Sequence, residues 1–299
     1  MLALTILGNN SAIPAFDRHP TAQVLQNNEQ SFLIDCGEGT QMQMTTYKIR
    51  KSKLNHIFIS HLHGDHYFGL IGLLTSMGLL GRKNELHLYA PGVLKNILDL
   101  QFEVASTHLP YELHFHPLEK DGVIMEDKRI IVECFSVKHR IECHGFLFRE
   151  KKNPRKVNME EVNKYNIPPA FLSHLQMGED FIDNTAVIKN ELLTTEAEHP
   201  KTYAYCADTI YDEELIDKIQ NADLLYHEAT YLNALEQKAA NRFHCTSSQA
   251  ATIAKKANVK KLLIGHFSSM YETLEDFKTE ATAVFENTEI AEEGLCYMI

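Results

Sequence analysis

Residues 57–74 read IFISHLHGDHYFGLIGLL, an apolar run that gives way to His61, His63, Asp65 and His66. Four titratable, metal-ligand side chains within six residues are costly to bury unless something satisfies them together. A divalent cation does so. Neutral imidazole and carboxylate suit zinc or manganese, and the absence of clustered thiolates argues against an iron–sulfur site. Gly64 is expected to let the backbone turn tightly, so that alternate side chains point toward two different ions. One histidine here would more often be a solvated turn residue; four ligand-type residues at this spacing favour metal.

So short a stretch cannot complete a two-metal site, and further ligands are expected where later strands end. His139 follows IIVECFSVK, Asp208 follows TYAYCA and His266 follows KLLIG. Taken singly, each is more often a surface or capping group; their shared placement at strand ends makes them candidates together.

These positions need strands to mount them. The runs LALTIL, SFLID, HIFIS, ELHLYA, IIVECFSV, HGFLFR, TYAYCAD, DLLYHEA and KLLIGH have the length and composition of strands. Between them, 69–80 is apolar and of helical length. Segments 246–259 and 273–287 each open on a threonine suited to an N-cap and are expected to be helical. Strands first, then strands mixed with helices, predict a layered α/β sandwich and not a bundle.

A chain of 299 residues, 44% apolar and 23% charged, is a globular one that can bury a full core. The opening MLALTILGNN has no basic leader and reads as a first strand. No apolar run approaches bilayer length, so no membrane partner is expected. Six scattered cysteines without a Cys-x-x-Cys pair are expected to be reduced, mostly buried thiols, which predicts a cytoplasmic protein. The net charge of −11 argues against indiscriminate nucleic-acid binding and DNA is not an expected partner, yet a local basic patch remains open. Residues 149–190 look like an arm inserted into a single domain spanning 1–299. The arm opens with Arg149, Lys151, Lys152, Arg155 and Lys156. On composition alone this run is a solvated loop.

The pattern His-x-His-x-Asp-His with a later His, Asp and His resembles the metallo-β-lactamase superfamily. DCGEGTQ (35–41), SHLHGDHYFGLIGLL (60–74), KHRIECHGF (138–146), HEATY (227–231), HCTSSQAA (244–251) and GHFSS (265–269) together resemble ribonuclease Z. The resemblance implies a four-layer αββα metallo-β-lactamase sandwich of the α/β class. It implies two Zn2+ per subunit, with Mn2+ as an alternative. His61, His63 and His139 would hold one ion, and Asp65, His66 and His266 the other. Asp208 would bridge them, and Asp65 would also accept the proton of the attacking water. His244, oriented by Glu228, would be the acid for the leaving oxygen.

The implied substrate is precursor tRNA, cut after the discriminator base to leave a 3′-hydroxyl on the tRNA and a 5′-phosphate on the trailer. The basic run occupies the place of the family's tRNA-gripping arm, and a homodimer is implied. The chain departs from the family pattern at Ala170 and Phe171 after the double proline, at His19, and at Met270 where arginine is usual. The alternative is another hydrolase of the same fold acting on a small phosphodiester or ester, against which the basic arm speaks.

Overall fold

Alternating side chains set the architecture, because each strand sends successive residues to opposite faces of its sheet. The computed structural model describes residues 2–28, 30–183, 186–197 and 199–299. Two compact units emerge, one containing the chain up to Met125 with 132–148 and 201–299, the other 126–131 with 149–200. In chain order the strands are β1 (Leu2–Gly8), β2 (Ala22–Asn27), β3 (Gln30–Ile34), β4 (Leu54–Phe58), β5 (Leu86–Ala90) and β6 (Leu113–Pro117). Next come β7 (Gly122–Glu126), β8 (Ile130–Ser136) and β9 (His144–Glu150), then the short β10 (Lys156–Val157), β11 (Phe181–Ile182), β12 (Val187–Ile188) and β13 (Thr194–Thr195). The last are β14 (Thr202–Cys206), β15 (Leu224–Glu228), β16 (Lys261–Gly265), β17 (Thr288–Ile290) and β18 (Cys296–Met298).

In the larger unit two seven-stranded sheets have the orders β18-β1-β2-β3-β4-β5-β6 and β17-β16-β15-β14-β9-β8-β7. Strands β3 to β6 are parallel, as are β14 to β17. On the outer face of the first sheet, Leu33, Ile57 and Leu88 pack with Met44, Leu73 and Leu94 from the helices Thr40–Thr46, Leu70–Leu79 and Val93–Val104. On the outer face of the second, Ala204, Leu225 and Ile264 pack with Ala250, Ile253 and Phe277 from the helices Ser247–Lys256 and Glu275–Thr282. Helices therefore cover both outer faces, giving the αββα layering.

Between the sheets the layer is aromatic. Phe58 meets Phe146 at 5.5 Å, Phe148 edge-on at 5.3 Å and Tyr89 stacked at 4.7 Å. Tyr203 and Tyr205 alternate with outward Ala204 and Cys206, so one five-residue strand feeds both cores. Buried phenols need partners. Tyr203 donates to Gln23, and Tyr205 donates to Asp35.

Every strand expected from the sequence forms. The helix Leu70–Leu79 lies within 69–80, and Ser247–Lys256 starts where Thr246 and Gln249 close a capping box. The third helix begins later than expected, at Glu275, with Leu274 as a cap that makes no side-chain bond, so Thr273 does not cap it. Strand β2 escapes a periodicity reading because AQVLQN buries a glutamine, Gln23, whose polarity is satisfied by the distant Tyr203. All six cysteines are free thiols, five buried and Cys296 exposed. No helix among the described residues is long and apolar enough to cross a membrane.

The smaller unit carries β10 paired with β13, β11 paired with β12, and a core of its own from Val162, Ile167, Leu175 and Leu193. It runs ten residues beyond the 149–190 expected for the arm, to Pro200. Asn158 caps its helix Met159–Lys164, accepting from Glu160 N and Glu161 N. Two of the basic residues are engaged inside the unit: Lys151 pairs with Glu126 at 2.5 Å, while Arg155 donates to Thr194 at 2.7 Å and pairs with Glu196 at 3.4 Å.

Because Phe58 is fully buried in the inter-sheet layer, Phe58→Ala is expected to lower the free energy of unfolding by about 3–5 kcal/mol. Urea denaturation reads this loss. Leu79→Ala, at a position 88% exposed, should stay within about 0.5 kcal/mol of the parent in the same measurement.

Candidate active site

Parallel strands of both sheets deliver their carboxyl ends to one region of the larger unit, the edge where ligands collect in α/β folds. From the first sheet β3 leads into Asp35, and β4 leads through Ser60 into His61, which bridges to Cys143. A short helical turn, Gly64–Tyr67, then carries Asp65 and His66. From the second sheet β14 leads to Asp208, β15 ends on Glu228 and β16 leads to His266. Gly64 departs from its expected role. It is not in the left-handed region, and a Cβ there would sit 2.2 Å from the ring of Phe68. Gly37 is needed for close approach, since its Cβ would lie 2.4 Å from the Asp65 carbonyl oxygen.

The seven residues expected as ligands converge in two groups that share one carboxylate. Ligand atoms of His61, His63, His139 and Asp208 lie within 4.8 Å of one another, as do those of Asp65, His66 and His266. In the first group His63 Nδ1 is 3.0 Å from His61 Nε2 and 3.1 Å from His139 Nε2, and Asp208 Oδ2 is 3.5 Å from His61 Nε2. In the second, His266 Nε2 is 3.0 Å and His66 Nε2 3.4 Å from the other oxygen, Asp208 Oδ1. Asp65 Oδ2 lies 3.5 Å from His266 Nε2.

Four rings are fixed from behind through Nδ1, which turns Nε2 inward. His66 donates to Asp35 Oδ2 at 2.7 Å, and His61 donates to Ser60 Oγ at 3.0 Å, whose hydroxyl donates on to Asp35 at 2.8 Å. His139 donates to the Phe243 carbonyl at 3.1 Å. His266 donates to Thr230 Oγ1 at 3.0 Å, and that hydroxyl donates to Glu228 Oε2 at 2.6 Å. Such partners fix the tautomer and orientation of a ligand histidine.

Inward nitrogen lone pairs and carboxylate oxygens repel one another unless a cation lies among them. Asp208, 2% exposed, keeps Oδ1 buried without a hydrogen-bond partner among the described residues. Burial would raise the Asp208 carboxyl, but His266, His66 and His61 outweigh it and hold the group well below the carboxylate range. Burial likewise opposes charge on His66, yet Asp208, Asp35 and Asp65 drive it well above the imidazole range. A proton on His66 and a divalent cation answer the same excess of negative charge. His63 and His139 are each held down to about 4, chiefly by burial, and so are neutral imidazoles at physiological pH, the form that metal ligation requires. The donor set fits divalent metal.

His244 stands beside these groups. Its Nδ1 is 2.8 Å from Glu228 Oε1, an oxygen that also accepts from Thr209 N at 2.9 Å. Burial lowers the His244 imidazole, but Glu228 outweighs it and lifts the group to about 9. The cleft here, about 420 Å³, is lined by Ala12, Pro14, His63, Asp65, Arg140 and His244, among others. Ala12 N donates to Asp65 Oδ2 at 2.7 Å.

Sequence reasoning missed three contributors. Asp35 lies in DCGEGTQ, where a buried acid closing a strand was the available signal. Thr230 lies in HEATY, and Arg140 directly follows His139. The five basic residues at 149–156 lie in the smaller unit. Glu228→Gln is expected to bring the His244 imidazole down from about 9 toward the ordinary value of about 6.5, as followed by NMR titration of its ring protons.

Comparison with known proteins agrees with this geometry. A family model described as "Anti-Pycsar protein Apyc1" matches residues 2–152. The chain is 42% identical over 296 residues to the ribonuclease Z of Bacteroides fragilis (strain YCH46), covering 98% of this chain and 97% of that protein. Among solved structures, human tRNase Z, short form, superposes with a TM-score of 0.72 at 24% identity, covering 99% of both chains. The metallo-β-lactamase fold protein YhfI from Bacillus subtilis gives 0.70 at 19% identity, over 99% of this chain and 98% of that one. These two establish the fold. Its first half falls within the Apyc1 family model, and with near-full-length identity of this size the chain as a whole belongs to the ribonuclease Z family, on a metallo-β-lactamase fold.

Proposed function

We propose that this protein is a divalent-metal-dependent endoribonuclease that removes the 3′ trailer from precursor tRNA. The observation that carries the reading is Asp208, whose two oxygens each face one of two groups of imidazoles. His61, His63 and His139 would hold one ion and Asp65, His66 and His266 the other, with Asp208 shared between them. Zinc suits these imidazole and carboxylate donors, and manganese is accepted by the same set. When bound, such ions supply Lewis acidity toward the phosphodiester and toward water.

The chain's own groups do the rest. Asp65, held by Ala12 N, accepts the proton of the attacking water. As the new oxygen–phosphorus bond forms, the bond from phosphorus to the 3′ oxygen of the discriminator nucleotide breaks. His244, held through Nδ1 by Glu228, donates the Nε2 proton to that departing oxygen. The tRNA is left with a 3′-hydroxyl and the trailer with a 5′-phosphate. Arg140, exposed on the cleft wall, supplies a cation to the substrate phosphate.

Arg149, Lys151, Lys152, Arg155 and Lys156 grip the tRNA backbone, Lys151 and Arg155 exchanging their present acidic partners for phosphate. The working form is a homodimer, and the compartment this reading assigns is the cytoplasm.

A 3′-extended precursor tRNA incubated with the metal-loaded protein should be cut once, after the discriminator base. Asp208→Ala should lose both the cut and the metal of the active site. His244→Ala should keep its metal and lower kcat by about 10²–10⁴-fold. No cut of the precursor by a metal-replete protein would overturn the tRNA assignment. For the arm, Lys151→Ala with Lys152→Ala is expected to reduce the slope of log affinity against log salt by about 1–2. Hydrolysis of a small chromogenic phosphodiester should not change.

A further inference from the structure

Away from the active site, the sequence contains the triplet Glu-Leu-His twice, as Glu85-Leu86-His87 in ELHLYA and Glu112-Leu113-His114 in ELHFHP. The second copy continues two residues on to His116. The two triplets enter neighbouring parallel strands, β5 and β6, in register: Leu86 opposes Leu113 and His87 opposes His114. Period-two alternation then sends both leucines to one face and both imidazoles to the other. Leu86 and Leu113 join the helix-covered core. His87 and His114 stack at 4.9 Å and 19°, both half-buried, and His87 lines a cleft of about 570 Å³ together with Lys83, Glu85 and Glu112.

Three ligand-type side chains meet there. His114 Nε2 is 3.2 Å from Glu85 Oε2, and His87 Nε2 is 3.6 Å from Glu85 Oε1. Ligand atoms of Glu85, His87 and His114 all fall within 4.8 Å of one another. The far nitrogens have partners as well. His87 Nδ1 is 3.0 Å from His116 Nε2, and His114 Nδ1 is 3.6 Å from Glu112 Oε1, within ion-pair reach. When His87 Nδ1 donates to His116, its Nε2 presents a lone pair toward the Glu85 carboxylate. That arrangement is repulsive by itself and favourable around a cation. The segment before β5 is also fixed, since Arg82 donates to the carbonyls of Asn84 at 2.8 Å and Glu85 at 2.5 Å.

We infer that Glu85, His87 and His114 form a second, independent metal site that takes one divalent transition-metal ion of the zinc class and clips β5 to β6. Two imidazoles and one carboxylate suit zinc, nickel or copper, with copper(II) bound most tightly, and leave positions for water. His116 and Glu112 are the positioning residues behind the two histidines. Since β6 ends the first sheet, the ion ties down an edge strand that has a neighbour on one side only. A row of imidazoles kept only for stacking has no use for Glu85, or for a partner at each far nitrogen.

The test is equilibrium dialysis of the full-length protein against buffered zinc, followed by metal analysis, for the parent, His114→Gln and Glu85→Gln. It is repeated for all three in an Asp208→Ala background, which separates this site from the active site. The parent is expected to bind one zinc per chain more than His114→Gln in both backgrounds. Glu85→Gln should weaken that zinc by at least about tenfold. Cleavage by the two single variants should match the parent. Equal zinc content in the parent and in folded His114→Gln would overturn the site. Should His114→Gln not fold, Glu85→Gln decides, because Glu85 is largely exposed and its replacement leaves the strands intact. Unchanged zinc affinity in that variant would also overturn it.

Discussion

Asp208 is a carboxylate buried at 2% exposure with one oxygen that accepts no hydrogen bond among the described residues, and much of the larger unit is organised around that cost. Taking an ionised carboxylate out of water costs several kcal/mol unless opposite charge surrounds it. The groups that surround it arrive from three separate stretches of chain, His61 and His66 from one, His139 and His266 from the others. Each brings a second nitrogen that must itself be satisfied. Asp35, Ser60, Thr230 and the Phe243 carbonyl do that, and Asp35 in turn takes the hydroxyl of Tyr205 from the layer between the sheets. The polar centre and the aromatic core are thus joined through Asp35, so a shift of one sheet against the other would disturb both.

The backbone is strained at the same points. Asp35 has φ 57° and His266 has φ 60°, in a region that non-glycine residues seldom occupy. Both stand directly after parallel strands, where a left-handed residue turns the chain sharply out of the sheet. Such conformations cost about 1–3 kcal/mol and persist where surrounding contacts over-determine them. Here the side chains of these residues are the ones tied into the polar centre.

How much of this is legible in the sequence follows from whether the signal is local. The β-branched and aromatic strands, the N-cap at Thr246 and the cluster from His61 to His66 are short-range patterns, and the structure contains all of them. His139, Asp208 and His266 are readable because each directly follows such a strand. Asp35 and Thr230 were not read as part of the site, since their importance lies in hydrogen bonds to rings 31 and 36 positions away. Gln23 was missed for the same reason, its partner Tyr203 lying on the opposite sheet. The Glu-Leu-His pair acquires meaning only once β5 and β6 are known to be in register.

The sharing of Asp208 between two groups of histidines has a consequence for synthesis. During translation the chain acquires His61, His63, His139 and Asp208 well before His266, which follows β16. A nascent chain emerging from the ribosome therefore owns one full set of inward ligands while the other lacks a member. Until β16 docks beside β15, the second oxygen of Asp208 has only His66 to face among the imidazoles of its group. Docking of β16 beside β15 is therefore the step that brings the last imidazole to Asp208 Oδ1.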